Sequence, residues 1–479
     1  MATMADNKTA LENPANGAIE AIYPGPGYPG SKYVDHDGVT RKMTARECAI
    51  LDCEVNMAVY NREQVGSSFK PYVLATAVSE GMNVQTSTLN GFDPLWIPPA
   101  TSYGPNIYAT NNQADAGYQW YKVTNDSASE NGPFTPQVAM AASINTAYAS
   151  LWQRAGAGAV ANMAKLFGVD TDLACITAGC GTGANYVAPM EDEAGIALGQ
   201  ASLTVSEQAT MLATIDDGGI YHDAHVIESI TQNGVATPIQ ITSYPVFDPA
   251  DSTLNAEEAT QVQYAMSEDT ASYGTAPVAA MSNGQEIIAK TGTTSNFTSA
   301  FFIGAVPTQA LAVGIFVDHP HYQQLPSDLG GNSQGGYGGT WPATIWHAYA
   351  ENQFVPLGVE QFQPPVFTGQ AWNLVPPALR NAGKPHKKKG HGGFPPGQPG
   401  FPVQPPGNPF PYPTYSCDPR VVTCNPNNPP VGGGPFGGGN TQTVNATTAG
   451  AAVAGGFVAL PATCLWVRRR TRGRGRKRG

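Results

Sequence analysis

The chain has 479 residues, 41% of them hydrophobic, enough to bury the core of one large domain or of two to three ordinary ones. Only 13% of the residues are charged, whereas about 25% is usual. Eight of the 25 basic residues lie between Arg468 and Arg478, and the rest of the chain has 17 basic against 36 acidic residues. A body with a net charge of −19 is a poor candidate for nucleic-acid binding.

The N-terminal part predicts one strand and one apolar helix. Residues 15–23 are typical of a strand that the Pro-Gly sequence at 24–27 ends, and residues 1–14 are interpreted as an N-terminal remnant. The helix begins at Gly66 and stays uncharged from Pro71 until Glu80. Residues 86–136 are rich in Asn, Gly and Pro, which predicts surface loops and short strands.

The middle of the chain predicts helices. Thr135 and Pro136 are an N-cap and first-turn proline for one Ala-rich helix over residues 137–152, and helical sequence continues to residue 167. Thr204 followed by Glu207 predicts a second capped helix, which ends at the glycines after Asp217. Residues 225–230 predict a short strand.

The last folded part predicts a sheet. Strands are expected around residues 287–294, 300–306 and 310–317, the last two joined as a hairpin by the turn at 307–309. Residues 340–349 open a final helix. Strands at both ends with helices between them predict an α+β domain over residues 15–365 whose terminal segments share one sheet.

The C-terminal part has a different composition. Residues 366–443 are dominated by Pro, Gly and Asn and predict a disordered linker. Residues 444–467 are uncharged and precede the basic tail 468–479, so they are a candidate for a weak transmembrane segment, with a disordered tail as the alternative. A cytoplasmic C-terminus would leave the body of the protein outside the membrane.

The seven cysteines show no metal-binding spacing. Three close pairs, Cys48 and Cys53, Cys175 and Cys180, Cys417 and Cys424, fit either short disulfide loops or reduced thiols, and Cys464 is left over. The eight histidines also lack ligand spacing, so neither a metal nor a cofactor is expected. The N-terminus has no signal-peptide pattern.

Ser67 and Lys70 are candidate catalytic residues. Residues three apart are neighbours on a helix, so the two side chains share one face and Ser67 is favoured over Ser68 as the nucleophile. A serine needs a base within reach, and a lysine buried in apolar surroundings loses its proton readily. Lys70 is the only lysine with a serine three residues before it. Taken alone, however, the pair is more simply explained as a solvated helix face.

Two further motifs supply partners. Ser143-Ile144-Asn145 offers a hydroxyl and an amide on a predicted helix, and is preferred to the loop-like Ser129-Glu130-Asn131. Lys290-Thr291-Gly292-Thr293 offers an ammonium, two hydroxyls and a glycine that lets a substrate approach the strand. These motifs are the remaining candidates for the site.

The order SxxK, SxN, KTG resembles the signature of penicillin-binding proteins. The surrounding sequences resemble the transpeptidase domain of class A, bifunctional members over about residues 10–365, and the proline-rich tail is similar to that of actinobacterial members. They are Gly66-Ser67-Ser68-Phe69-Lys70-Pro71, Ala142-Ser143-Ile144-Asn145-Thr146, Ala197-Leu198-Gly199, Lys290-Thr291-Gly292-Thr293-Thr294 and Gly339-Thr340-Trp341-Pro342-Ala343.

The resemblance implies a fold and an activity. The expected fold is the penicillin-binding and β-lactamase-like one, an antiparallel sheet flanked by helices with a helical subdomain. The expected activity is D,D-transpeptidation of peptidoglycan stem peptides outside the cytoplasm, in the cell envelope. The implied partners are a D-Ala-D-Ala donor, an amine acceptor and β-lactams, together with glycosyltransferase or division and elongation proteins.

The resemblance also implies a role for each motif residue. Ser67 would attack the donor, Lys70 would take its proton, and Ser143 with Lys290 would return a proton to the leaving D-alanine. Asn145 would bind the donor amide, and the donor carboxylate would be bound by Lys290, Thr291 and Thr293. Gly292 would let the substrate approach the strand. The N–H groups of Ser67 and Thr293 would form the oxyanion hole.

The sequence departs from the family in two respects. No glycosyltransferase domain or membrane anchor precedes the predicted domain, so Met1 is interpreted as a misassigned or secondary start. The acidic residue and tryptophan expected after KTGTT are Ser299 and Phe301 or Phe302. Two alternatives therefore stay open: a D,D-carboxypeptidase or β-lactamase, and a non-catalytic penicillin-binding remnant.

Overall fold

The computed structural model of the chain describes residues 6–25, 33–34, 40–41, 55–98, 109–117, 120–170, 194–316, 324–326 and 336–380. All seven cysteines and residues 381–479 lie outside these ranges, as do the disulfide, linker, membrane-segment and basic-tail predictions that fall on them. Within the described ranges, no helix has both the length and the apolar character needed to cross a membrane.

A five-stranded antiparallel sheet is the framework of the described unit. Its strands, numbered in chain order, are β1 Asp6–Glu12, β2 Ile19–Tyr23, β3 Ile288–Thr293, β4 Ser299–Val306 and β5 Gln309–Phe316. Their order in the sheet is β3-β4-β5-β1-β2. The predicted hairpin is present, since β4 and β5 pair from Ser299 opposite Phe316 to Val306 opposite Gln309. The terminal segments of the domain therefore share one sheet, as predicted.

Strand β1 corrects the predicted start of the domain at residue 15. It pairs along its whole length with β5, with Thr9 opposite Val313, so the sequence before residue 15 is part of the sheet. The sequence does not show the apolar pattern of a buried strand here, because two of the buried residues are Lys8 and Glu12. The Lys8 ammonium donates to the Phe316 carbonyl at 3.1 Å.

Helices surround the sheet on both faces. In chain order they are α1 Met57–Tyr60, α2 Lys70–Ser79, α3 Pro136–Ala141, α4 Asn145–Ala155, α5 Ala157–Leu166, α6 Val205–Asp216, α7 Ser252–Met266 and α8 Trp341–Gln353. Helix α6 packs on β1, β4 and β5, and α8 packs on β4 and β5. Phe302 contacts Trp346 of α8 with a ring distance of 5.4 Å, whereas its neighbour Phe301 points into the main core. Strands β4 and β5 are apolar over nearly their whole length because both faces of the sheet are covered there.

Helix α2 lies at the centre of the helical part. Nine of its ten residues are buried, which explains the uncharged sequence after Lys70. It packs against α4, α5 and α7, and Phe69 and Tyr72 contact each other at its start with a ring distance of 4.8 Å. The reading of this helix as a solvated face is therefore wrong.

Two of the predicted helix caps are present. Thr135 Oγ1 accepts from Val138 N, and Thr204 forms a reciprocal capping box with Glu207. The prediction of a single helix over residues 137–152 is wrong. A turn at residues 142–144 separates two helices, α3 and α4. Local helix propensity does not reveal the break, since the turn is set by contacts with α2.

Short strand pairs and 3-10 helices connect these elements. The pairs are Tyr33–Val34 with Thr40–Arg41, Glu63–Gln64 with Ser202–Leu203, Leu89–Asn90 with Pro133–Phe134, Leu95–Ile97 with Tyr121–Val123, Ile220–His222 with Ser243–Pro245 and Ser229–Gln232 with Val235–Pro238. The 3-10 helices are Gly66–Phe69, Gln113–Asp115, Ala194–Leu198, Pro277–Ala279 and Val355–Leu357. The short strand predicted at 225–230 thus lies slightly later, in a hairpin.

The segment after residue 365 corrects the predicted end of the domain. Gln370 exchanges backbone hydrogen bonds with Gly81 and Asn83, and Thr88 exchanges them with Trp372 and Leu374, at 2.8 to 2.9 Å. The Trp372 ring stacks on the Arg154 guanidinium at 4.4 Å. Apolar residues in this Pro-rich stretch pack on the folded domain. Composition alone therefore placed the end of the domain too early.

Candidate active site

Ser67 lies in the tight turn that leads into α2. Residues Gly66–Phe69 form a 3-10 helix, and the Lys70 N–H donates to the Ser67 carbonyl. A 3-10 helix has three residues per turn, so side chains at positions 67 and 70 align. Ser67 is partly exposed, whereas Ser68 is fully buried and donates to the Val65 carbonyl at 2.9 Å.

Close backbone packing joins this turn to strand β3. Gly66 has φ +57° and donates its N–H to the Gly199 carbonyl at 3.0 Å. A Cβ on Gly66 would lie 2.3 Å from Thr293 O and 2.6 Å from Thr293 N. Only glycine permits this approach, which brings the backbone next to Ser67 against Thr293.

Lys70 is the centre of the hydrogen-bond network. Its Nζ is fully buried and donates to Ser143 O at 2.6 Å, Ser143 Oγ at 3.0 Å and Asn145 Oδ1 at 2.9 Å. These three bonds use every hydrogen of the ammonium form. Burial, and secondly the nearby charge of Lys290, hold the pKa of Lys70 well below its usual value. The neutral amine, which can accept a proton, is therefore accessible.

Ser143 occupies the turn between α3 and α4 rather than the middle of a helix. Its φ is +57°, a left-handed conformation that costs a non-glycine residue free energy. The turn directs both the carbonyl and the hydroxyl of Ser143 at Lys70 Nζ. The strained backbone is thus what lets one residue offer two acceptors to the lysine.

Asn145 is the first residue of α4 and connects Lys70 to a loop. Its Oδ1 accepts from Lys70, while its Nδ2 donates to Thr124 O at 3.1 Å and to Asp126 Oδ1 at 3.4 Å. The negative charges of Asp126 and Glu130 oppose the lowering of the Lys70 pKa. The loop that carries the alternative SxN motif therefore lies beside the site but does not replace Ser143.

Lys290 and Thr291 lie on β3 with little contact to solvent. Lys290 is fully buried, and its Nζ donates to Thr291 O and Thr291 Oγ1, both at 3.1 Å. Burial lowers the pKa of Lys290, and the charge of Asp269 opposes this shift. The charge of Lys290 in turn lowers the pKa of Lys70, so the two lysines are coupled.

Gly292 and Thr293 form the edge of the strand next to the Ser67 turn. A Cβ on Gly292 would lie 2.1 Å from the Val65 carbonyl. Gly338 N donates to Thr293 Oγ1 at 3.0 Å, and a Cβ on Gly338 would lie 2.6 Å from Gly292 O. The glycine predicted for substrate approach is thus required for packing as well.

Several residues around the site carry no signal in the sequence. The acids Asp126 and Asp269 and the hydroxyl of Thr275 contact the motif residues, yet each lies far along the chain from the residue it contacts. No spacing rule signals them. Ser299, noted as a departure from the family pattern, is buried and donates to Gln64 O at 2.6 Å, so it fastens β4 to the strand before Ser67.

Comparison with known proteins defines the class of this fold and site. The family described as "Penicillin binding protein transpeptidase domain" matches residues 9–332. The chain therefore belongs to the penicillin-binding protein transpeptidase family, and the predicted resemblance is confirmed. The match begins within β1, in agreement with the corrected start of the domain.

The curated relatives are longer proteins. Penicillin-binding protein 1A of Neisseria gonorrhoeae is 27% identical over 296 residues, which are 61% of this chain and 32% of the relative. The chain thus spans about a third of the length of the curated relatives it matches.

Solved structures agree on the fold. PonA1 of Mycobacterium tuberculosis has a TM-score of 0.51 at 23% identity and covers 78% of this chain and 82% of its own. Penicillin-binding protein 1A of Haemophilus influenzae has a TM-score of 0.53 at 21% identity. The match covers 75% of this chain and 49% of the Haemophilus chain. The predicted α+β fold with an antiparallel sheet flanked by helices is confirmed.

Proposed function

We propose that this chain is a serine D,D-transpeptidase that cross-links peptidoglycan stem peptides through an acyl-enzyme at Ser67. The observation that carries the proposal is the buried Lys70 amine, which directly follows the Ser67 turn and is hydrogen-bonded to Ser143 and Asn145. Membership of the penicillin-binding protein transpeptidase family supports the same serine as the proposed site of β-lactam acylation.

In the proposed acylation step, neutral Lys70 accepts the Ser67 hydroxyl proton as Ser67 Oγ bonds to the carbonyl carbon between the two D-alanines. The oxyanion receives hydrogen bonds from the N–H groups of Ser67 and Thr293, which the packing of Gly66 on Thr293 supports. The proton passes from Lys70 to Ser143 and on to the departing D-alanine nitrogen as the peptide bond breaks. The direct contact between Lys70 Nζ and Ser143 Oγ supports this route.

The remaining groups bind the substrate in this proposal. Lys290 and Thr293 face the carboxylate of the terminal D-alanine, and Asn145 faces the donor amide. Thr291 is 5% exposed and its hydroxyl is bonded to Thr275 and Lys290, so its share in carboxylate binding is indirect. This refines the role that the resemblance implied.

In the second step, an amine from a neighbouring stem peptide attacks the acyl-enzyme, and Ser67 leaves with a proton returned through Lys70. The substrate places the activity outside the cytoplasm, in the cell envelope. The related PonA1 has been solved in complex with penicillin V, which supports β-lactams as ligands of this fold. Glycosyltransferase and division or elongation proteins remain proposed partners.

Labelling with a fluorescent penicillin tests the nucleophile. We expect Ser67→Ala to lose all label and Ser68→Ala to keep it, because the Ser68 hydroxyl is buried and bonded to Val65 O. Ser68→Ala should lose about 1 kcal/mol of unfolding free energy with that bond. Label lost only in Ser68→Ala would overturn the assignment, and label absent from every form would favour a non-catalytic remnant.

The lifetime of the label tests the reaction. A transpeptidase should hold the penicilloyl group for hours, because an amine rather than water resolves its acyl-enzyme. Release within seconds would instead identify a β-lactamase. Incubation of a stem-peptide donor with and without an added amine then separates cross-linking from D,D-carboxypeptidase activity.

A further inference from the structure

A buried carboxylate lies behind the KTG strand. Asp269, just after α7, is fully buried, and its Oδ1 is 3.7 Å from Lys290 Nζ. Thr275 Oγ1 donates to the same oxygen at 2.6 Å. Within the described part of the chain, Oδ2 has no hydrogen-bond donor. A buried carboxylate with an oxygen left unpaired destabilises a fold, so stability alone does not explain this residue.

The hydroxyls between Lys290 and Asp269 form a directional chain. Each threonine hydroxyl has one hydrogen to donate. Thr275 gives its hydrogen to Asp269, so Thr291 is the donor in the 2.5 Å contact between Thr291 Oγ1 and Thr275 Oγ1. Thr291 Oγ1 in turn accepts from Lys290 Nζ. This series of hydrogen bonds therefore runs from an ammonium, through two hydroxyls, to a carboxylate. Opposite charges at its two ends favour that direction.

The loop that carries this chain is held rigidly. Ala276 N donates to Asp269 O at 2.9 Å, and Thr275 N donates to Ala141 O at 3.1 Å. A Cβ on Gly274 would lie 2.3 Å from Asp269 O. Since Ala141 ends α3 just before the Ser143 turn, the loop ties Asp269 to the backbone of the catalytic region as well as to β3.

We propose that Asp269, with Thr275 as its link, is the positioning residue for Lys290: it keeps the Lys290 side chain cationic and directed at the substrate carboxylate. This inference rests on the proposed function, in which Lys290 binds that carboxylate and assists Ser143. Burial raises the pKa of the Asp269 carboxyl and lowers that of Lys290, and each charge opposes the shift of the other. The other charged groups that face the pair are Lys70 and Asp126.

The pH dependence of acylation by a fluorescent penicillin tests the proposal. In wild type, we expect the rate to fall at high pH when Lys290 loses its proton. Asp269→Asn removes the opposing charge at nearly constant volume, so this alkaline limb should move to lower pH by about one to three units. The control is Asp216→Asn, which makes the same side-chain replacement at another buried carboxyl, one that accepts from Thr308 N. The control should keep the wild-type limb.

A purely structural role predicts a different result. If the alkaline limb of Asp269→Asn does not move, or if its rate is lowered equally at every pH, the inference is overturned. Labelling of the wild type in the same experiment would leave the proposed function standing. Absence of label from wild type and Ser67→Ala alike would instead overturn both.

A second pair of variants covers the case in which Asp269→Asn does not fold. Thr275→Ser keeps the hydroxyl, and Thr275→Val removes it at similar volume. We expect Thr275→Val to raise the penicillin concentration that gives half the limiting acylation rate by about tenfold, the value of one hydrogen bond to a charged group. Thr275→Ser should match wild type, and equal values for the two variants would overturn the inference.

Discussion

Replacing Gly66 with alanine probes the contact between the Ser67 turn and β3. The new Cβ would lie 2.3 Å from Thr293 O and 2.6 Å from Thr293 N, so either the turn or the strand must move. The residue also has φ +57°, where an L-amino acid is strained. Because Ser67 and Thr293 supply the two proposed oxyanion donors, the movement should separate them.

The expected effects have distinct sizes. The left-handed conformation costs about 1 to 2 kcal/mol and overpacking about 1 to 3 more, so the unfolding free energy should fall by about 2 to 5 kcal/mol. Loss of one oxyanion donor lowers a rate by about 100- to 1000-fold. Denaturant unfolding and the second-order rate of acylation by a fluorescent penicillin measure the two effects.

A matched glycine separates backbone strain from the loss of the oxyanion hole. Gly218, after α6, has φ +62°, and the atom nearest to an added Cβ there is 3.8 Å away. Gly218→Ala should lose only the conformational cost and acylate at the wild-type rate. Acylation of Gly66→Ala at the rate of Gly218→Ala would refute the assignment of Thr293 to the oxyanion hole.

Two further predictions concern stability. Burial raises the pKa of Glu12 to about 8 from an ordinary 4.5, so the native state holds a proton that the unfolded state releases. Stability that is complete below pH 4.5 is therefore lost as the pH rises through 8, and Glu12→Gln should flatten this decline in melting curves between pH 5 and 9; parallel curves would contradict the assignment. Truncation after residue 365 removes the four backbone hydrogen bonds to residues 81–88 and should cost about 2 to 6 kcal/mol in denaturant unfolding. Truncation after residue 380 is the control and should retain those bonds, and equal stability of the two forms would show that the segment contributes nothing.

Sequence alone determined the features that depend on near neighbours. The capping box of Thr204 and Glu207, the hairpin of β4 and β5, and the helical turn from Ser67 to Lys70 all arise within a few residues. Turn geometry and residue spacing are sufficient for such features because no distant contact has to be known. The motif order then linked these local elements to a family.

Tertiary structure alone decided how distant residues meet. The left-handed turn at Ser143 interrupts a sequence that is helical by propensity, and it is explained by the contacts that Ser143 makes with Lys70. Strand β1 joins the sheet although Lys8 and Glu12 are buried in it, and residues 370–374 pack on the domain although prolines lie on either side of them. The pairing of Asp269 with Lys290 likewise has no local pattern. The physical reason is common to all four: burial and hydrogen bonding to partners far along the chain outweigh local preference, and those partners are known only once the chain is folded.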